Sequence, residues 1–182
     1  MKRNRLLTII GFAVLSSLLS NGVVASEKLD DATILAIFDQ ANATDIYIGR
    51  LGAKYGYTEE VRALGVMVAT DHVAVQQMGR DLAKKLSIIP TPPDNDTSVA
   101  DQAKSVLSLQ RVRGEEFDEA YLRHEIVFHQ SVINAIKSTL LPAIENREFV
   151  DLVNKVLPGF EHHLAVTKKV AAKMGLDQED LD

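Results

Sequence analysis

Apolar residues in this chain recur every three or four positions over long stretches, which is the period of an amphipathic α-helix. The alternation at every second residue that marks a β-strand is not sustained over any convincing length. Gly and Pro residues interrupt the helical pattern and divide it into separate segments. The pattern therefore predicts four long helices and one short helix, over about residues 29–54, 59–87, 99–111, 115–141 and 147–174.

The turns between these segments indicate how the helices are arranged. Gly56 and Pro142 mark short turns, which join the first two helices and the last two long helices as hairpins. A Pro-rich segment, residues 88–97, and the short helix connect the two hairpins. One long connection between two helical hairpins predicts an all-α fold, a ferritin-like four-helix bundle with a short crossover helix.

The first 25 residues have the pattern of a secretory signal peptide. Lys2, Arg3 and Arg5 precede an apolar run, and small residues of the kind that a signal peptidase reads follow it. An uncleaved membrane anchor is the alternative, but the apolar run is shorter than the roughly 20 residues that span a bilayer. We expect a signal peptide over residues 1–25, the bundle domain over 26–176 and an acidic tail over 177–182. The periplasm is the expected destination, with no membrane span after cleavage; association with the outer membrane stays open.

Composition narrows the range of partners. Without the three basic residues of the signal segment, the 20 Lys and Arg fall to 17, against 25 Asp and Glu. This acidic balance argues against nucleic acid as a partner. The chain has no Cys, which excludes disulfides, thiolate nucleophiles and thiolate metal ligands. The sequence does not identify a protein partner or an oligomeric state.

Four ionisable residues fall in the middle of the apolar helical stripes, one on each long helix: Asp45, His72, His129 and His163. A buried charge or imidazole is costly unless another group pairs with it. Counted from the hairpin turns, the two members of each hairpin lie within about one helical turn of the same height. We therefore expect the four side chains to meet in one layer of the core. Three nearby carboxylates are candidates to join or support this layer: Asp71, Glu125 and Asp118.

This polar layer of the core has three possible functional interpretations. Three imidazoles and a carboxylate would suit one transition-metal ion, Zn²⁺, Cu²⁺ or Fe²⁺. The same groups could instead form a metal-free polar layer that fixes the register of the helices, in a structural or envelope-stress interaction module. A metal-dependent oxidoreductase or hydrolase is a third reading. The sequence assigns no catalytic residue, and we favour the non-enzymatic readings because nothing in the pattern indicates a substrate pocket.

Three motifs carry a resemblance to a known family. They are residues 67–72, which end in Asp71-His72; residues 117–122, which include Asp118 and are followed by His129; and residues 157–164, which include His163. Together they resemble a bacterial family of exported proteins, the domain-of-unknown-function 4142 family, over about residues 30–174. The resemblance implies a ferritin-like helical bundle and marks these residues, together with an acidic residue in the first helix. The family usually has Glu there, where this chain has Asp45, and its members are often labelled predicted outer-membrane proteins.

The di-iron pattern of ferritin-like proteins is not met. That pattern needs Glu-x-x-His on each of two helices. Here Asp71 precedes His72 directly, and Glu161 lies only two positions before His163. The spacing therefore favours a single-metal site, or none, over a di-iron centre.

Overall fold

The computed structural model of the protein describes residues 29–176. The predicted signal segment and acidic tail lie outside this range. The described chain is all-α and contains no strand: α1 (Asp31–Tyr55), α2 (Glu59–Leu86), α3 (Ser98–Gln110), α4 (Glu115–Ala135), a π-helical segment (Ile136–Leu140), α5 (Leu141–Ala143) and α6 (Arg147–Lys173). None of these helices has the length and apolar character needed to cross a membrane.

Polar side chains cap three of the long helices, α1, α2 and α6, at their N-termini. Asp30 accepts a hydrogen bond from the backbone N–H of Thr33 at the start of α1, and Thr58 accepts one from Val61 at the start of α2. Asn146 caps α6 in the same way. These side chains satisfy backbone donors that have no partner within the helix. The boundaries therefore follow closely from the sequence.

The helices form a bundle of two antiparallel hairpins. α1 packs along α2, and α4 packs along α6; across the hairpins α2 contacts α6 and α1 contacts α4, while α3 lies against α1 and α4. At one end, Asp118 in the first turn of α4 accepts hydrogen bonds from the turn between α1 and α2. At the other end, Asp31 accepts hydrogen bonds from the backbone of Glu145 and Asn146, just before α6. The structure thus confirms the all-α helical bundle predicted from the sequence, with α3 in the connection between the hairpins.

Glycines let the first two helices approach closely. An added Cβ on Gly65 would lie 2.3 Å from the backbone nitrogen of Ala53 and 2.5 Å from the carbonyl oxygen of Gly49. Only a residue without a side chain fits this crossing. The close contact holds Asp45, one turn away on α1, against the inner face of α2.

Apolar side chains fill both ends of the bundle. One cluster includes Ile48, Leu64 and Phe117, and the other includes Ile34, Leu82 and Phe149. A layer of buried polar side chains lies between them, comprising Asn42, Asp45, His72, Glu125, His129 and His163. The fold therefore places its ionisable core residues in a dry interior, where each needs a partner.

Candidate metal centre

Four side chains from the four long helices meet in this polar layer. Nε2 of His72 lies 2.8 Å from Oδ2 of Asp45, and Nε2 of His129 lies 3.2 Å from the same oxygen. Nδ1 of His163 lies 3.2 Å from Nε2 of His72. The side chains of all four residues are at most 4% exposed. The convergence expected from the sequence is therefore present in the structure.

The second ring nitrogen of His72, Nδ1, points away from Asp45 and makes a hydrogen bond outside the layer, called here an outer hydrogen bond. Nδ1 of His72 lies 2.9 Å from Oδ1 of Asn42. The amide nitrogen of Asn42 donates to the carbonyl of Phe38, so its oxygen is the atom that faces the ring. Nδ1 must then carry the proton, and Nε2 of the neutral imidazole presents its lone pair to the layer.

The other two imidazoles are oriented in the same manner. Nδ1 of His129 lies 2.9 Å from the backbone carbonyl of Glu125, which can only accept a hydrogen bond. Nε2 of His163 lies 2.9 Å from a carboxylate oxygen of Asp71. In the neutral rings the free lone pairs are therefore Nε2 of His129 and Nδ1 of His163. Outer hydrogen bonds of this kind are typical of metal-binding histidines, because they fix the tautomer and the ring orientation.

Several inward-facing atoms lack a hydrogen bond of normal geometry. They are both carboxylate oxygens of Asp45, both of Glu125, and Nε2 of His129. Lone pairs that face one another at 2.8–3.2 Å repel unless a proton or a metal ion lies between them. The ligand atoms of a tetrahedral ion with bonds of about 2.0–2.1 Å lie roughly 3.3 Å apart. The spacing therefore fits hydrogen bonds through shared protons and, with a small outward shift of the ligands, a shared cation.

Two groups of residues are close enough to hold an ion. His72, His129 and His163 each offer a ligand atom within 4.8 Å of the other two, and Asp45, Glu125 and His129 do the same. His129 belongs to both groups and therefore links them. Three imidazoles and a carboxylate, with no thiolate, suit Zn²⁺, Cu²⁺ or Fe²⁺.

Burial and neighbouring charges shift the pKa values of the two buried carboxyl groups, Asp45 and Glu125, in opposite directions. Burial raises the pKa of Asp45, but His72 and His129 lower it, and the net pKa lies well below its usual range. Burial and the nearby Asp45 carboxylate raise the pKa of Glu125 well above its usual value. Asp45 is thus the ionised ligand candidate, and Glu125 is the carboxyl group of the pair that keeps its proton to higher pH in the metal-free protein.

Burial also shifts the pKa values of two of the imidazoles, His129 and His163. Burial lowers the pKa of His129, against the opposing effect of Asp45. It lowers the pKa of His163 as well, against the opposing effect of the hydrogen bond that His163 donates to Asp71. Both rings are therefore neutral at pH 7, which is the form that binds a metal ion.

Aromatic rings enclose the layer. The Phe160 ring meets His72 edge to face, with centroids 4.9 Å apart, and lies 6.3 Å from the ring of His129. Tyr121 is fully buried, and its hydroxyl lies near Glu125. Burial among these rings lowers the local dielectric, which strengthens electrostatic interactions inside the layer.

Not every residue singled out in the sequence lies in the layer. The side chain of Asp71 is 54% exposed and reaches the layer only through the outer nitrogen of His163. Both carboxylate oxygens of Asp118 accept hydrogen bonds from Tyr57 and Thr58 at the end of the bundle. The expectation that Asp118 joins or supports the layer is therefore replaced by a structural role: it fixes the α1–α2 turn.

Sequence reasoning missed Asn42, the residue that orients His72. The signal was present, because Asn42 lies four positions after Phe38 and three before Asp45, on the buried face of α1. The neighbouring Ala41, which fits the apolar pattern better, is only partly buried.

The fold and the site define an all-α bundle with a buried histidine and carboxylate cluster. The model of the family described as a domain of unknown function, DUF4142, matches residues 19–170, and the chain belongs to this family. This confirms the family resemblance of the three sequence motifs. No curated protein and no solved structure matches the chain. The ferritin-like relationship and the ligand set therefore stay predictions.

Proposed function

We propose that this bundle binds one transition-metal ion in its core. His72 and His129 would bind it through Nε2, His163 through Nδ1 and Asp45 through its carboxylate. One observation carries the proposal: each imidazole makes an outer hydrogen bond that leaves its free nitrogen facing the same buried point.

A binding role fits the site better than a catalytic one. The four ligand candidates would fill all four positions of a tetrahedral ion, so no open position is left for a substrate. Slow exchange from a buried site suits storage, buffering or a structural metal. We therefore propose metal binding without turnover as the main function.

Metal analysis of protein purified without a His tag tests this proposal. After incubation with Zn²⁺, Cu²⁺ or Fe²⁺ and removal of excess metal, we expect about one ion per chain for at least one of these metals. His129→Ala and His163→Ala should lose it, because each removes a buried ligand. His162→Ala is the matched control, since His162 is adjacent in sequence but exposed.

Two results would contradict the proposal. One is a chain that stays metal-free and whose melting temperature does not change with chelator. The other is an equal loss of metal in all three His variants. Either result would favour a layer held together by protons, in which the buried groups fix the helix register.

We also propose that the chain is exported to the periplasm through residues 1–25. The support is the basic start and the short apolar run that follows it. Mass spectrometry of the periplasmic fraction should find a mature chain that begins at Ser26. A full-length chain in the membrane fraction would favour an uncleaved anchor.

A further inference from the structure

A cavity of about 270 Å³ opens between α2 and α6, beside the metal centre. Its walls are largely apolar and include Val75, Met78 and Phe160. Two of the proposed ligands, His72 and His163, also line it. The cavity therefore reaches from the surface of the bundle to the side chains of the centre.

An ion needs such an opening to reach the centre. The proposed ligands are 0–3% exposed, and a close-packed core leaves no path for a hydrated cation. Gly159, one turn before His163, lines the cavity at an exposed position, and an added Cβ there would meet nothing within 4 Å. The gap between α2 and α6 is thus a place where the centre approaches solvent.

Asp71 connects this gap to the centre. Its side chain is 54% exposed and lines the cavity, while one of its carboxylate oxygens lies 2.9 Å from Nε2 of His163. An exposed carboxylate attracts and binds a divalent cation before the ion loses all its water. Lys155 lines the same cavity from α6 and opposes a cation there.

We infer that this cavity is the route by which the metal ion exchanges with solvent, and that Asp71 is the first side chain to bind the ion. The inference rests on the proposed metal-binding function. In this sequence of events, the ion passes from Asp71 to the inward nitrogens of His163 and His72.

Filling the gap tests the route. Gly159→Leu places an apolar side chain in the open space, and Asn154→Leu is the control, on an exposed position of the same helix that does not line the cavity. Stopped-flow mixing with Zn²⁺ and a fluorescent chelator gives the uptake and release rates. We expect both rates to fall about tenfold in Gly159→Leu with an unchanged Kd, because a blocked path alters rates alone. Rates equal to those of Asn154→Leu would overturn the route.

Removing one charge tests the role of Asp71. Asp71→Asn retains an oxygen that can accept from Nε2 of His163, so the ring keeps its orientation. If Asp71 captures the ion, the uptake rate should fall about three- to tenfold and depend less on salt concentration. An unchanged uptake rate with faster release would show that Asp71 only positions His163, and would overturn its role in capture.

Failure of the metal-binding function and failure of the exchange route give different experimental results. If the wild-type chain binds no metal at equilibrium, the proposed function and the route are both wrong. If it binds one ion, and neither Gly159→Leu nor Asp71→Asn changes the uptake rate, the function stands and the route is wrong.

Discussion

Asn42 and His72 form a buried hydrogen bond of 2.9 Å that joins α1 to α2 and fixes the tautomer of the imidazole. Asn42 is itself held in place by donation to the carbonyl of Phe38, at 2.7 Å. Both side chains are essentially inaccessible to solvent. The amide therefore determines that Nε2, and not Nδ1, faces the carboxylate of Asp45.

Replacing Asn42 by Leu tests this relationship. The variant removes the acceptor for Nδ1–H of His72 and keeps all four proposed ligands. We expect metal affinity to fall about 10–100-fold, as for other outer partners of metal-binding histidines. Competition with a chelator of known affinity measures this loss. An affinity within twofold of wild type would show that Asn42 does not orient the ligand.

Asp118 should matter for stability and not for metal binding. Its carboxylate accepts two backbone hydrogen bonds and one from the hydroxyl of Thr58. Asp118→Ala leaves these donors without a partner, which should lower the free energy of unfolding by about 3 kcal/mol. Urea unfolding measures this change, while metal content per folded chain should stay at the wild-type value. A specific loss of metal would place Asp118 back among the supporting residues of the centre.

The packing of Tyr121 against Gly52 gives a prediction about the wall of the centre. An added Cβ on Gly52 would lie 2.5 Å from Cζ of Tyr121 and 2.9 Å from its hydroxyl oxygen. We expect Gly52→Ala to destabilise the protein by about 1–3 kcal/mol through overpacking. Gly159→Ala is the matched control, because its Cβ meets open space and Ala favours a helix by about 0.5–1 kcal/mol. Thermal unfolding measures the melting temperature of both variants. Equal changes in melting temperature would show that Tyr121 does not pack tightly against Gly52.

The metal-free protein should lose stability on acidification. His124 lies on α4, directly before Glu125, and burial lowers its pKa to about 4, from about 6.5 in the unfolded chain. Because the folded state binds fewer protons than the unfolded state between these values, the free energy of unfolding falls as pH decreases from 6.5 to 4.

His124→Gln isolates this effect. For His124 alone the loss is on the order of 2 kcal/mol, so the variant should lose that much less than wild type over the same pH range. Urea unfolding with chelator present, at several pH values, gives the comparison. Parallel pH profiles for the two proteins would show that His124 is not buried as a neutral ring.

The helical period of the apolar residues was enough to predict the bundle. Apolar residues that repeat at helical spacing over about 20 or more positions fit few structures besides a helix, and Gly56 and Pro142 indicate where the hairpins turn. Counting from those turns also put Asp45 and His72, and His129 and His163, within about one helical turn of each other, because the rise per residue in a helix is constant.

The contacts around the centre could not be predicted in this way. Whether Asp118 faces the layer or the α1–α2 turn depends on helix rotation and on a partner about 60 residues away in the chain. The π-helical segment Ile136–Leu140 was expected to be ordinary helix. It ends two residues before Pro142, which has no N–H to continue the α-helical hydrogen bonds. Such details depend on tertiary contacts and not on the local pattern.

X-ray absorption spectroscopy of the metal-loaded protein tests the central claim most directly, because it counts the imidazoles around the ion. For the Zn²⁺ form we predict three imidazole nitrogens and one carboxylate oxygen at about 2.0–2.1 Å, with one imidazole fewer in any His129→Ala protein that still retains metal. A shell of oxygen atoms alone, or a spectrum unchanged by His129→Ala, would contradict a metal centre built from these four helices.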